Sequence, residues 1–139
     1  MTSWLIVEDE PDVYEMLMAV SELLGSDGIA FVDGEEAIAW IDEVDAGNFD
    51  REKPELALID IRLPNKISGP MVGARLRKSP ALGQIGVVLM TAYYLNEEQE
   101  KEAIAQAGAD LLLHKPLPSL PELKKMLQEV VAKRAALQP

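Results

Sequence analysis

Four short stretches of the chain carry the polar chemistry: Glu8 and Asp9 in "VEDE", Asp60 in "ELALIDIRLP", Thr91 after "VVLM", and Lys115 in "HKP". Asp60 is the most demanding, because it interrupts the apolar run of Leu56, Ala57, Leu58, Ile59, Ile61 and Leu63. A carboxylate entering a buried sheet is costly unless something compensates it. Together, Glu8, Asp9 and Asp60 crowd like charges that raise one another's pKa unless a cation intervenes, and Mg²⁺ prefers a few carboxylate oxygens plus water and phosphate. With the metal and the Lys115 ammonium neutralising charge, an Asp60 oxygen can act as nucleophile toward a phosphoryl group. The negative charge that spreads over that group then needs Mg²⁺, Lys115 and the Thr91 hydroxyl around it. The product is an aspartyl phosphate. Each residue alone has a plainer explanation: acids ahead of a helix cap its free N–H groups, threonine is common at strand ends, and a lysine before proline suits an exposed turn.

The elements that must position these residues are legible as two periodicities. The runs "SWLIV", "GIAFV", "ELALI", "GVVLM" and "DLLLH" have the length of buried strands and are too short for helices. Between them, residues 11–25 place Val13, Leu17, Val20 and Leu24 at helical spacing after Pro11, and residues 33–45 open on a capping-box variant, Asp33 with Glu36, before Ala37, Ile38, Ile41 and Val44. A third helix is expected over roughly 69–78 from Ser68, and a fourth after Asn96. The last starts at "SLPE", with Ser119 and Glu122 as a capping box, and lines up Leu120, Leu123, Leu127, Val130 and Arg134. Residues 45–54 read as a surface loop. Five strands alternating with five helices predict an α/β fold, a doubly wound parallel sheet covered by helices on both faces. In such a sheet ligands bind beyond the carboxyl ends of the strands, where all four polar stretches fall.

The chain has 139 residues, 48% of them hydrophobic, a net charge of -11 and no cysteine. These totals fit a single domain over 1–139 and exclude disulfides, thiolate metal sites and cysteine nucleophiles. The acidic balance repels phosphodiester backbones, so no direct nucleic-acid binding is expected. No apolar run is long enough for a membrane span or a secretory signal, and a cytoplasmic location is expected.

The stretches "WLIVEDEPDV", "FVDGEEAIAWI", "ALIDIRLP", "VVLMTA" and "AGADLLLHKP" resemble, in order and spacing, the receiver domain of two-component response regulators. The resemblance covers nearly the whole chain and implies a flavodoxin-like strand order, 2-1-3-4-5. It implies Asp60 as phosphoacceptor, Glu8, Asp9, Asp60 and the Arg62 backbone carbonyl as Mg²⁺ ligands, Thr91 as switch hydroxyl, Lys115 as partner of the phosphoryl group, and a cis bond before Pro116. It further implies a sensor histidine kinase or histidine phosphotransfer protein upstream and a downstream protein target. Their binding would be controlled through the face made by the fourth helix, fifth strand and fifth helix. The sequence departs from the family pattern at Leu112, where an aromatic switch residue is usual, at "PNKISG", which is one residue longer than the common form, and at Leu117, where many relatives have Phe.

Three other readings carry their own signatures. A haloacid dehalogenase-type phosphatase would place a general acid two residues after the nucleophile, where this chain has Arg62, which cannot do that work. A receiver-like module that binds its partner without phosphorylation is kept open by Leu112. His114 at a strand end is better explained as a plain strand-end residue than as a phosphohistidine. The residues after Pro116 suffice for one helix and no output domain. Acidic residues on the fourth helix (Glu97, Glu98, Glu100, Glu102) and basic ones on the last (Lys124, Lys125, Lys133, Arg134) read first as two solvated faces, and as opposite charges on neighbouring helices they are also consistent with a homodimer through the output face. Arg62 and Tyr93 lie two residues past Asp60 and Thr91, and both are bulky enough to obstruct an in-line water.

Overall fold

The computed structural model describes residues 2–137; Met1, Gln138 and Pro139, which the expected 1–139 domain includes, lie outside the described residues. The chain folds into β1 (Thr2–Val7), α1 (Pro11–Leu23), β2 (Ser26–Phe31), α2 (Gly34–Asp45), β3 (Leu56–Asp60), α3 (Gly69–Lys78), β4 (Gly86–Thr91), α4 (Glu97–Ala107), β5 (Leu111–His114) and α5 (Leu120–Ala136). The strands form one parallel sheet in the order β2-β1-β3-β4-β5, as the resemblance implies. Side chains alternate across a strand, so the central strands feed two cores. Leu5, Val7, Ala57, Ile59, Val87 and Leu89 pack against Ile41 of α2, Leu76 of α3 and Ala107 of α4. Trp4, Ile6, Leu58, Val88 and Met90 pack on the opposite face against Leu17 of α1 and Leu123 and Leu127 of α5. Double-sided burial accounts for the apolar run of residues 56–59 in β3, which ends on Asp60. From β1 the chain winds outward to β2, then crosses back past β1 to β3 and on to β4 and β5, and this reversal makes the carboxyl ends of β1 and β3 the switch point of the sheet.

Local chemistry starts the helices. The Asp33 carboxylate accepts the Glu36 N–H at 2.8 Å, giving α2 one half of the expected capping box. Ser68 caps α3, and Asn96 and Gln99 cap α4 reciprocally. Several expectations need correction. The Ser119–Glu122 capping box does not form: the Ser119 side chain accepts no helix N–H, and Pro121 has already removed one of the free donors. The first helix ends at Leu23, short of the expected residue 25, because Gly25 at φ 77° turns the chain straight into β2. The 45–54 segment is only partly surface. Pro54 is buried, and Phe49 packs edge-on against Trp40 at 5.3 Å with the Arg51 guanidinium on its ring at 5.4 Å. Arg134, grouped with the solvated basic residues of the last helix, is instead bound to Asp110 at 2.8 Å.

Candidate functional site

The carboxyl ends of β1, β3, β4 and β5 bring together Glu8, Asp60, Thr91 and Lys115. The Lys115 ammonium donates to Glu8 Oε2 at 2.8 Å and to Asp60 Oδ2 at 2.9 Å, and lies 3.6 Å from Glu10 Oε1. Glu8 is 0% and Asp60 4% exposed, whereas Asp9 reaches solvent. Main-chain donors complete the cluster: the Glu10 N–H bonds to Glu8 Oε1 at 3.0 Å, and the Arg62 N–H to Asp60 Oδ1 at 3.2 Å. Two buried carboxylates are therefore tolerated because one ammonium bridges them and backbone N–H groups serve their other oxygens.

The charge remains unbalanced. One carboxylate oxygen each from Glu8, Asp9 and Asp60 lies within 4.8 Å of the others, the only such group of three among the described residues. Four carboxylates, Glu10 included, surround one ammonium and leave negative charge in excess, and the all-oxygen set of Glu8, Asp9 and Asp60 with one solvent-facing ligand fits a hydrated Mg²⁺. Burial, only partly countered by hydrogen bonds from Lys115 and the Glu10 N–H, pushes Glu8 up to about 7. Burial also works against the Lys115 ammonium, but its bonds to Glu8 and Asp60 outweigh that, and its pKa rises. Because the folded state holds the Glu8 proton more tightly than the unfolded chain does, Glu8 favours folding at low pH, and that contribution is lost as pH rises from about 4.5 to 7. In chelator, the wild type is expected to lose on the order of 1–3 kcal/mol more stability between pH 5 and 8 than Glu8→Gln does. Urea titrations of both proteins across that range check this; parallel pH curves would contradict it.

The two loops beside Asp60 touch each other. Thr91 is buried, and its hydroxyl faces its own loop, accepting the Tyr93 N–H at 3.1 Å and donating to the Tyr93 carbonyl at 3.4 Å. The Arg62 guanidinium lies over the Tyr93 ring, 3.9 Å from its centroid. Leu112 is half-buried on the α2/α3/α4 face, and the exposed His114 reaches Glu100 of α4 at 2.7 Å. The Lys115–Pro116 peptide bond is cis. The long loop "PNKISG" is pinned to the start of α2: the Asn65 side chain reaches Asp33 at 3.4 Å and the Lys66 N–H reaches Glu35 at 3.0 Å, with Asn65 at φ 69°. Sequence reasoning missed two contributors. Glu10 approaches Lys115, which its place in "VEDE" could have indicated. Gly69 lies against the Asp60 backbone, and its signal was a glycine opening a helix so soon after the acidic strand end.

The model of the response regulator receiver domain family matches residues 4–128. Over 128 residues the chain is 30% identical to the DNA-binding dual master transcriptional regulator RpaA of Synechocystis, a match that covers 92% of this chain and 47% of that protein. The chain spans about half the length of the curated relatives it matches. Among solved structures, a putative response regulator from Chloroflexus aurantiacus superposes with a TM-score of 0.76 at 28% identity, covering 94% of this chain and 98% of that one. The receiver domain of the sensor histidine kinase PA1611 from Pseudomonas aeruginosa, with a magnesium ion coordinated in its active site cleft, gives a TM-score of 0.75 at 25% identity over 94% and 98% of the two chains.

Proposed function

The chain belongs to the response regulator receiver domain family, and from that premise we propose that Asp60 accepts a phosphoryl group from a phosphohistidine donor. The observation that carries this reading is the Lys115 ammonium bridging two buried carboxylates, Glu8 and Asp60, beside the exposed Asp9. Glu8, Asp9, Asp60 and the Arg62 carbonyl would hold Mg²⁺, which when bound would neutralise the carboxylates and the incoming phosphoryl oxygens. An Asp60 oxygen attacks phosphorus in line as the bond to the imidazole nitrogen breaks, and the imidazole keeps the electron pair. Lys115, already within hydrogen-bond reach, holds the resulting aspartyl phosphate, and the Thr91 hydroxyl turns toward it. That turn redraws the loop before α4 and changes the affinity of the α4/β5/α5 face for a protein partner.

Receiver domains are signalling domains that interact with histidine kinases or phosphotransfer proteins. For this chain we take the donor to be one of those two, the output to be a downstream protein, and the location to be cytoplasmic. Slow self-dephosphorylation would be the only hydrolysis. The domain over 1–139 is expected to contact neither nucleic acid nor membrane; among the described residues no helix is long and apolar enough to cross a bilayer. A dimer through α4, β5 and α5 would use Lys124, Lys125 and Lys133, since Arg134 is held by Asp110.

Labelling by a small phosphodonor separates this reading from a module that binds its partner without phosphorylation, and failure to turn over a generic phosphate ester separates it from a phosphatase. Arg62 and Tyr93 stack on each other at 3.9 Å, next to Asp60 and Thr91, and we take them to obstruct the in-line water. Replacing either with Ala should speed decay of the labelled phosphoprotein roughly threefold to tenfold, on the scale of a barrier change of about 1 kcal/mol. Unchanged decay in both variants would remove the obstruction.

A further inference from the structure

A closed circuit of contacts joins the phosphoacceptor to the switch hydroxyl. The Arg62 N–H holds Asp60 Oδ1, the Arg62 guanidinium lies on the Tyr93 ring, and the Tyr93 main chain holds the Thr91 hydroxyl through both its N–H and its carbonyl. Asp60 and Met90 are register partners on adjacent strands, so the circuit spans two neighbouring loops. Tyr93 is half-exposed, and among the described residues no side-chain hydrogen bond competes with its ring for the Arg62 guanidinium.

We propose that the Arg62–Tyr93 stack is a latch that keeps Thr91 turned away from Asp60 and opens when a phosphoryl group draws the hydroxyl inward. The inference rests on Asp60 being the phosphoacceptor. Thr91 cannot turn toward Asp60 without releasing the Tyr93 N–H, and moving the Tyr93 backbone carries its ring off Arg62. A phosphoryl group on Asp60 also competes for the carboxylate oxygen that the Arg62 N–H holds. Both ends of the stack are thus strained by the same event, and the contact stabilises only the unphosphorylated arrangement. With Leu112 in the half-buried strand position, Tyr93 is the aromatic side chain mechanically tied to Thr91. A latch of this kind lowers the apparent affinity for the phosphoryl group by the amount by which it favours the closed state, about twofold to fivefold for a half-exposed cation–π contact.

Calorimetric titration with beryllium fluoride and Mg²⁺, a stand-in for the phosphoryl group, tests this on the full chain. Arg62→Ala and Tyr93→Ala should each tighten binding about twofold to fivefold, the double variant should gain no more than either, and Tyr93→Phe should match wild type. Amide exchange gives a second readout. The Tyr93 N–H should be protected in the free wild type, lose protection when beryllium fluoride binds, and be about twofold to fivefold less protected in free Arg62→Ala. Unchanged or weaker binding in the single variants, additive gains in the double, or a Tyr93 N–H that stays protected in the complex would overturn the latch while leaving the phosphoacceptor in place. Wild type that binds no beryllium fluoride, or binds it equally as Asp60→Asn, would overturn both.

Discussion

Gly69→Ala is expected to lower stability by about 2–3 kcal/mol and to slow phosphate incorporation on the order of a hundredfold. A Cβ at this position would lie 2.0 Å from the Asp60 carbonyl oxygen and 2.8 Å from both the Asp60 carbonyl carbon and the Ile61 Cα. All three are backbone atoms, so no side chain can swing aside. The Gly69 N–H also donates to the Ile61 carbonyl at 2.9 Å, which ties the start of α3 to the end of β3. Relief of the clash therefore moves either the helix or the phosphoacceptor, and a shift of about 1 Å takes Asp60 out of line with Lys115. Gly47→Ala is the control. Gly47 has φ 84° with nothing near its Cβ position, so it should cost about 1 kcal/mol of stability and leave incorporation unchanged. Urea melts and phosphodonor labelling of both variants check the pair. Normal labelling of Gly69→Ala would show that the close approach does not position Asp60.

The second large effect lies at the opposite end of the sheet. Asp110 receives Arg134 Nε at 2.9 and 3.0 Å, Arg77 Nη2 at 3.2 Å and the Val87 N–H at 2.9 Å. Arg77 reaches on to the carbonyls of Gly83, Ile85 and Gly108, so one carboxylate joins the ends of α3 and α4 to β4 and α5. Burial lowers the pKa of Arg77 and the charge of Arg134 adds to that, while Asp110 opposes both. Asp110→Ala leaves two partly buried guanidiniums facing each other and a backbone donor without its acceptor, at an expected cost of about 3–5 kcal/mol. Adding Arg134→Ala should recover part of the loss by removing the repulsion. Phosphate incorporation under folding conditions should be unchanged, because the network meets β4 and β5 at their amino ends, away from the acidic rim. A loss below about 1 kcal/mol in urea unfolding would mean that the arginines are satisfied without Asp110.

Much of this was legible in the residues, for physical reasons. Helix and strand periods and the polar residues at Asp33, Ser68 and Asn96 are local signals, and they gave α2 and α3 nearly to the residue and the start of α4. The strand-end acids, Thr91 and Lys115 could be assembled because a parallel sheet sends its carboxyl ends to one rim. Long-range contacts were not legible. Nothing in the spacing of Arg77, Asp110 and Arg134 announces a shared carboxylate, since the partners lie on three elements brought together only by the crossovers. The Arg62–Tyr93 stack was missed for the same reason, although both residues were singled out for their bulk. The Ser119 cap failed in the other direction: the motif was present and the geometry did not use it.

The central claim is that Asp60, held by Lys115 among the acids of the rim, is the phosphoacceptor. Incubation of wild type and Asp60→Asn with acetyl phosphate, with and without Mg²⁺, followed by intact mass and peptide mapping, tests it most directly. The predicted result is one Mg²⁺-dependent phosphate on the peptide containing Asp60 and none on Asp60→Asn. A phosphate that forms without Mg²⁺, maps elsewhere or survives in Asp60→Asn would contradict the account.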